Sequence, residues 1–179
     1  MMKALLVIDL QKAVVEEAVD VPGVLSRVNQ LIGDARSSGA PLVFIQHQEE
    51  GDPSMSPGSP SWEFVDDLDF RNGDALVHKK YRDGFAGTEL KDLLLSSGTT
   101  EVVVTGAQSD YCVQTTALSA LAQGFDVTLV RDGHTTCATG PGNGSVDGAS
   151  VVEFINGHFE WLFYPERQIS VEEAASISL

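Results

Sequence analysis

The chain opens its pattern with nearly continuous apolar runs rather than alternating ones. Residues 4–8, 42–45, 101–105 and 127–130 are each a short stretch of Val, Leu, Ile and Phe with few polar interruptions. Such runs mark strands covered on both faces, as in a parallel sheet. A shorter run at residues 75–77 leads into His78 and Lys79. Between the runs the apolar period changes to that of a helix. Val24, Leu25, Val28, Leu31, Ile32 and Ala35 form one stripe, with Pro22 near its start and Gly39 beyond its end, the expected asymmetry of helix ends. Leu90, Leu93 and Leu94 follow Thr88, a capping residue, and Gly98 stops that segment. Val113, Thr116, Ala117, Ala120 and Leu121 form a third stripe closed by Gly124; Val151, Val152, Ile155, Phe159 and Leu162 form a fourth. Strands alternating with helices predict βαβ units with right-handed crossovers. The expected fold is therefore an α/β three-layer sandwich, a central mainly parallel sheet with helices on both faces, in one domain over residues 1–179.

Two segments break the pattern. Residues 49–62 are rich in Pro, Ser and Gly and are long enough for a functional loop. Residues 139–145 contain Gly140-Pro141-Gly142-Asn143-Gly144-Ser145, which lacks the lysine and spacing of a phosphate-binding loop and reads as a connection. The polar tail predicts an edge strand at residues 168–171, or a cover for a neighbouring subunit.

Composition narrows the function classes. With 42% hydrophobic residues in 179, the chain suits an ordinary globular core. No run reaches the ~18 apolar residues of a membrane span. The apolar start meets Asp9 too early for a signal peptide, so a cytoplasmic location is expected. A net charge of −15, with 11 basic residues and no long basic cluster, argues against nucleic acid as partner. Two cysteines do not make a disulfide framework, and Cys112 and Cys137 read as thiols. No G-x-G-x-x-G follows the first strand, so a dinucleotide-binding dehydrogenase is disfavoured.

Ligands of open parallel sheets gather beyond the carboxyl ends of the strands. Asp9 ends the first run, Lys79 ends the run from Ala75, and Cys112 follows the run ending at Thr105. If those strands are neighbours, the three side chains converge on one cleft. Cys112 stands in a strand–turn–helix passage, where a cap at Ser109 or Asp110 would set it in the first helical turn. A helix start and a nearby ammonium both favour thiolate over thiol. A carboxylate beside them could take the thiol proton and return it to a leaving amine.

Three strings in order carry a resemblance: Leu6-Val7-Ile8-Asp9-Leu10-Gln11, then the segment from His78 to Leu90, then Val104-Thr105-Gly106-Ala107-Gln108-Ser109-Asp110-Tyr111-Cys112-Val113. Together they resemble the isochorismatase-like cysteine hydrolases, over residues from about 3 to about 135. The resemblance implies a Rossmann-like α/β sandwich and an Asp–Lys–Cys triad falling on Asp9, Lys79 and Cys112. Lys79 rather than Lys80 is the match, because the family lysine lies six positions before the phenylalanine, here Phe85. It also implies a cis peptide at Ala107–Gln108, aiming the amides of Gln108 and Cys112 at an oxyanion.

Within the family, members that cleave the vinyl ether of isochorismate lack the nucleophilic cysteine, so Cys112 favours the amidase-like branch. Nicotinamidases add a metal site of Asp and two His after the second strand. Here Phe44-Ile45-Gln46-His47-Gln48-Glu49-Glu50 offers one histidine, so neither metal nor other cofactor is expected. Candidates for contact with a small-molecule substrate are Gln11, Trp62, Phe85, Tyr111 and His134, the last also suited to bracing a loop. The resulting expectation is a hydrolase of a non-peptide C–N bond working through a thioester, without nucleic-acid or membrane partners and assembled as a dimer or tetramer. The alternatives are a nicotinamidase or ether-cleaving member of the same fold, and a catalytically silent ligand-binding or scaffold member.

Overall fold

A computed structural model describes residues 2–139 and 145–179. Its centre is a six-stranded sheet: β1 (Lys3–Ile8), β2 (Leu42–His47), β3 (Ala75–Lys79), β4 (Glu101–Ala107), β5 (Asp126–Thr135) and β6 (Ile169–Glu172). The strands run in the order β3-β2-β1-β4-β5-β6, and every pairing is parallel. β6 is the edge strand expected from the tail. The continuous apolar runs are explained by burial on both faces: Ala4, Leu5, Leu6, Val7 and Ile8 are all fully buried.

Alternate residues of each strand serve two separate cores. Leu5, Val7, Phe44 and Val103 face Val24, Val28, Leu31 and Ile32 of helix α2 (Val21–Ser38), which follows a single turn, α1 (Lys12–Val15). Leu6, Ile8, Ile45 and Val104 face α3 (Leu90–Ser96), α4 (Gln114–Gln123) and α5 (Gly148–Glu160). Each large aliphatic side chain so buried contributes roughly 1.5–3 kcal/mol. The result is a three-layer α/β/α sandwich. Among the described residues no helix is long and apolar enough to cross a membrane. Most of the glycine-rich segment read as a connection, residues 140–144, lies outside the described residues.

The order reverses at β1, whose neighbours β2 and β4 lead away in opposite directions. That reversal opens a crevice at the carboxyl end of the sheet, the usual ligand position in such folds. Gly106 sits beside it with φ 118°, and a Cβ there would lie 2.0 Å from the carbonyl oxygen of Ile8. Only glycine lets β4 run that close to β1 just before the turn to Cys112.

Candidate active site

The strand-neighbour condition set by the sequence is only half met. β1 and β4 are adjacent, with Ile8 paired to Gly106, but β2 lies between β1 and β3. Lys79 closes that gap with its own length. It is paired with His47 at the end of β2, and its buried chain reaches across to put Nζ 2.6 Å from Asp9 Oδ2. The same Nζ lies 3.3 Å from Cys112 Sγ and 3.4 Å from His47 Nδ1. Asp9 turns off the strand in the left-handed region, φ 47°, a conformation Asp tolerates better than most residues. Beyond the ion pair with Lys79 neither carboxylate oxygen has a hydrogen-bond partner.

Cys112 lies in a π-helical turn, Ser109–Val113, that runs directly into α4. The capping expected of Ser109 or Asp110 is not made. Ser109 Oγ pairs with His134 Nδ1 at 2.7 Å, and the Asp110 carboxylate accepts from Thr136 Oγ1 at 2.6 Å. Both side chains tie the turn sideways to the end of β5 instead of closing its amides. The Ala107–Gln108 peptide is cis, and Gln108 Nε2 donates to the Val14 carbonyl and to Cys137 Sγ at 3.1 and 3.2 Å.

The electrostatics differ from the sequence expectation. Burial pushes the Cys112 thiol up to about 12, the Asp9 carboxylate pushes the same way, and Lys79 pulls against them. Desolvation and the nearby anion outweigh the ammonium, so sulfur holds its proton in the free protein. Burial, followed by the Lys79 charge, lowers His47 and keeps it neutral at pH 7.

A cleft of about 740 Å³ lies over this group, lined by Asp9, Cys112, Tyr111, Gln108, His47 and Arg82 together with residues of the 49–62 loop and its flank. Of the five residues expected to touch substrate, only Tyr111 lines it. Gln11 is buried beneath: its amide donates to the carbonyls of His47 and Trp62 and accepts the His47 N–H, clamping β2 to the loop. Trp62 donates its indole N–H to the His47 carbonyl and packs on His78, away from the cleft. Phe85 stacks on Phe125 in the core. His134 is buried between Ser109 and Asn156 Oδ1, and burial lowers it to about 4. His134 therefore braces the π-turn. Cys112 and Cys137 are both free thiols. Among the described residues no cluster of three His, Cys, Asp or Glu could hold a metal ion.

Sequence reasoning missed His47 and Arg82 as cleft residues. Their signals were weak but present: His47 ends a strand, and Arg82 lies three residues beyond Lys79.

The family model for the isochorismatase domain matches residues 3–148. A streptothricin hydrolase of Streptomyces noursei is 40% identical over 137 residues, covering 75% of this chain and 54% of that hydrolase. The chain thus spans about half the length of the streptothricin hydrolases it matches. A maleamate amidohydrolase of Pseudomonas putida is 27% identical over 149 residues, 72% of this chain and 70% of that enzyme. Among solved structures, an isochorismatase family protein superposes with a TM-score of 0.81 at 28% identity, over 94% of this chain and 96% of that one.

Proposed function

Because the chain belongs to the isochorismatase family, we propose that it is a cysteine-dependent hydrolase of an amide-like C–N bond in a small molecule, with Asp9, Lys79 and Cys112 as its triad. The observation that carries this reading is the buried Lys79 ammonium set between Asp9 Oδ2 and Cys112 Sγ at the floor of an open cleft. The amidohydrolase and hydrolase names of the relatives agree with it.

The thiol is protonated at rest, so its proton must leave as sulfur attacks. Asp9 is the base at hand: its Oδ2 is held by the Lys79 ammonium at 2.6 Å, and its buried Oδ1 has no hydrogen-bond partner. A buried acceptor left open calls for a functional explanation. As the C–S bond forms, the thiol proton passes to Asp9 and the carbonyl electrons move onto oxygen. Backbone amides of Gln108 and Cys112, at the head of the helix where acceptors within the helix are lacking, hold that oxyanion. Lys79 donates to sulfur at 3.3 Å and stabilises the charge it acquires. Collapse of the tetrahedral species breaks the C–N bond, and the amine leaves with the proton from Asp9. Water, giving a proton to Asp9, then attacks the thioester, releases the carboxylic acid and restores the thiol.

The test is release of ammonia or amine from a panel of small amides by the native protein and by Cys112→Ala. The expected loss is on the order of 10³-fold or more, with an acyl adduct on Cys112 in rapidly quenched native samples. Full activity in Cys112→Ala would sink the assignment. A catalytically silent member would show no turnover on any amide and no adduct.

A further inference from the structure

With 26 acidic residues against 11 basic ones, most cations in this protein find a carboxylate; among the described residues only Arg82 and Lys91, the latter exposed on α3, lie outside ion-pair distance of one. The arginines Arg27, Arg36, Arg71, Arg131 and Arg167 each lie within ion-pair distance of a carboxylate. Arg82 is the exception: among the described residues its guanidinium has neither an acidic partner nor a hydrogen bond. Its sequence neighbour Asp83 does not supply one, because that carboxylate accepts from the Phe85 N–H and the Ser119 hydroxyl.

Arg82 is nonetheless held in place. Its guanidinium carbon lies 3.8 Å from the centroid of the Tyr111 ring. Seated over the ring face, the guanidinium is anchored by a cation–π contact, while its N–H donors have no hydrogen-bond partner among the described residues. Both residues line the cleft, and Tyr111 directly precedes Cys112. The other exposed cation of the cleft, Lys80, is paired with Glu50 at 2.9 Å. The wall beside the nucleophile thus presents one uncommitted, anchored guanidinium in a protein whose overall field repels anions.

We propose that Arg82, stacked on Tyr111, is a subsite for a carboxylate of the substrate, and that the substrate class is small amides bearing a carboxylate a few bonds from the scissile C–N bond. This rests on the hydrolase reading above. A planar monoanion matches the fork of the guanidinium, and the nearby Glu49 carboxylate opposes a more highly charged anion.

The experiment measures calorimetric binding of succinamate and of succinamide, its uncharged diamide, to Cys112→Ala, where no turnover intervenes. Succinamate is expected to bind tighter by about five- to tenfold, the range for an exposed but oriented pair. In Arg82→Gln/Cys112→Ala the affinity ratio should fall to near one, and Arg82→Lys should restore part of it. Added salt should weaken succinamate binding and not succinamide binding. Succinamate that fails to bind, or binds no tighter than succinamide, overturns the subsite, as does a ratio unchanged in Arg82→Gln. Turnover separates the two readings. Cys112-dependent hydrolysis without preference for the acid defeats the subsite alone. A binding preference lost in Arg82→Gln, without hydrolysis of any amide, defeats the hydrolase reading alone.

Discussion

Replacing Asp9 with Asn should make Cys112 react faster with an alkylating agent while removing hydrolysis. The Cys112 thiol is pushed from the ordinary 9.0 to about 12, by burial first and by Asp9 next, with Lys79 opposing. The difference, 12 − 9.0, cuts the thiolate fraction below pH 9 by about 10³ relative to an ordinary thiol. A more basic thiolate is also more nucleophilic, with a Brønsted slope of about 0.4–0.5, which returns more than one power of ten. Cys112 in the free protein should therefore react with iodoacetamide roughly 50-fold slower than an ordinary thiol at neutral pH. Its rate should climb about tenfold per pH unit with no plateau below pH ~10. Asn at position 9 removes the anion and keeps the ammonium, so the thiol falls and alkylation at neutral pH accelerates. Lys79→Met should act in the opposite direction. Quenched time courses across pH, read by peptide mass mapping with Cys137 as internal comparison, give the profiles. A plateau at or below pH 8, or a slower reaction in Asp9→Asn, would refute the reasoning. The helix start and Lys79 would then dominate, and Cys112 would be a standing thiolate.

The remaining predictions concern stability. Lys79→Met leaves the Asp9 carboxylate buried without its counter-charge and should cost about 3–5 kcal/mol in urea unfolding. Adding Asp9→Asn should recover most of that; a double variant no more stable than Lys79→Met would show that the loss came from packing. His134 is lowered from 6.5 to about 4 by burial, so the folded state favours the neutral ring. Its contribution is complete above pH 6.5 and is lost as pH falls through about 4, a span worth about 3 kcal/mol. Unfolding curves between those pH values should be flatter for His134→Gln than for the native chain, and parallel curves would reject the buried neutral histidine as the source of acid sensitivity.

Much of the architecture was legible along the chain because burial on two faces leaves a continuous apolar signature. Residues 4–8 and 42–45 carried that signature, and β1 and β2 extend it only to their polar ends. The stripe from Val24 to Ala35 gave α2 with its glycine stop, since helical period and αL capping are local properties. Asp9, Lys79 and Cys112 could be singled out because each stands at or just past a strand end. The contact residues fared worse. Trp62 and Phe85 are large and apolar, and sequence does not distinguish a core aromatic from a pocket wall. Gln11 and His134 are polar but satisfied internally, a role that depends on partners 36 and 25 residues away.

What the sequence determined by itself, then, was the alternation of buried strands and amphipathic helices, and the chemical types available at the strand ends. Only the tertiary structure decided which of those ends meet. It set β2 between β1 and β3, so that Asp9 and Lys79 are joined by the reach of a lysine side chain and not by strand adjacency. It also decided the protonation of Cys112, because desolvation and the placement of Asp9 against Lys79 are properties of the packed site. Local sequence carries a helix start near the thiol; it carries no measure of the water excluded when the cleft floor is assembled from three strands and a turn.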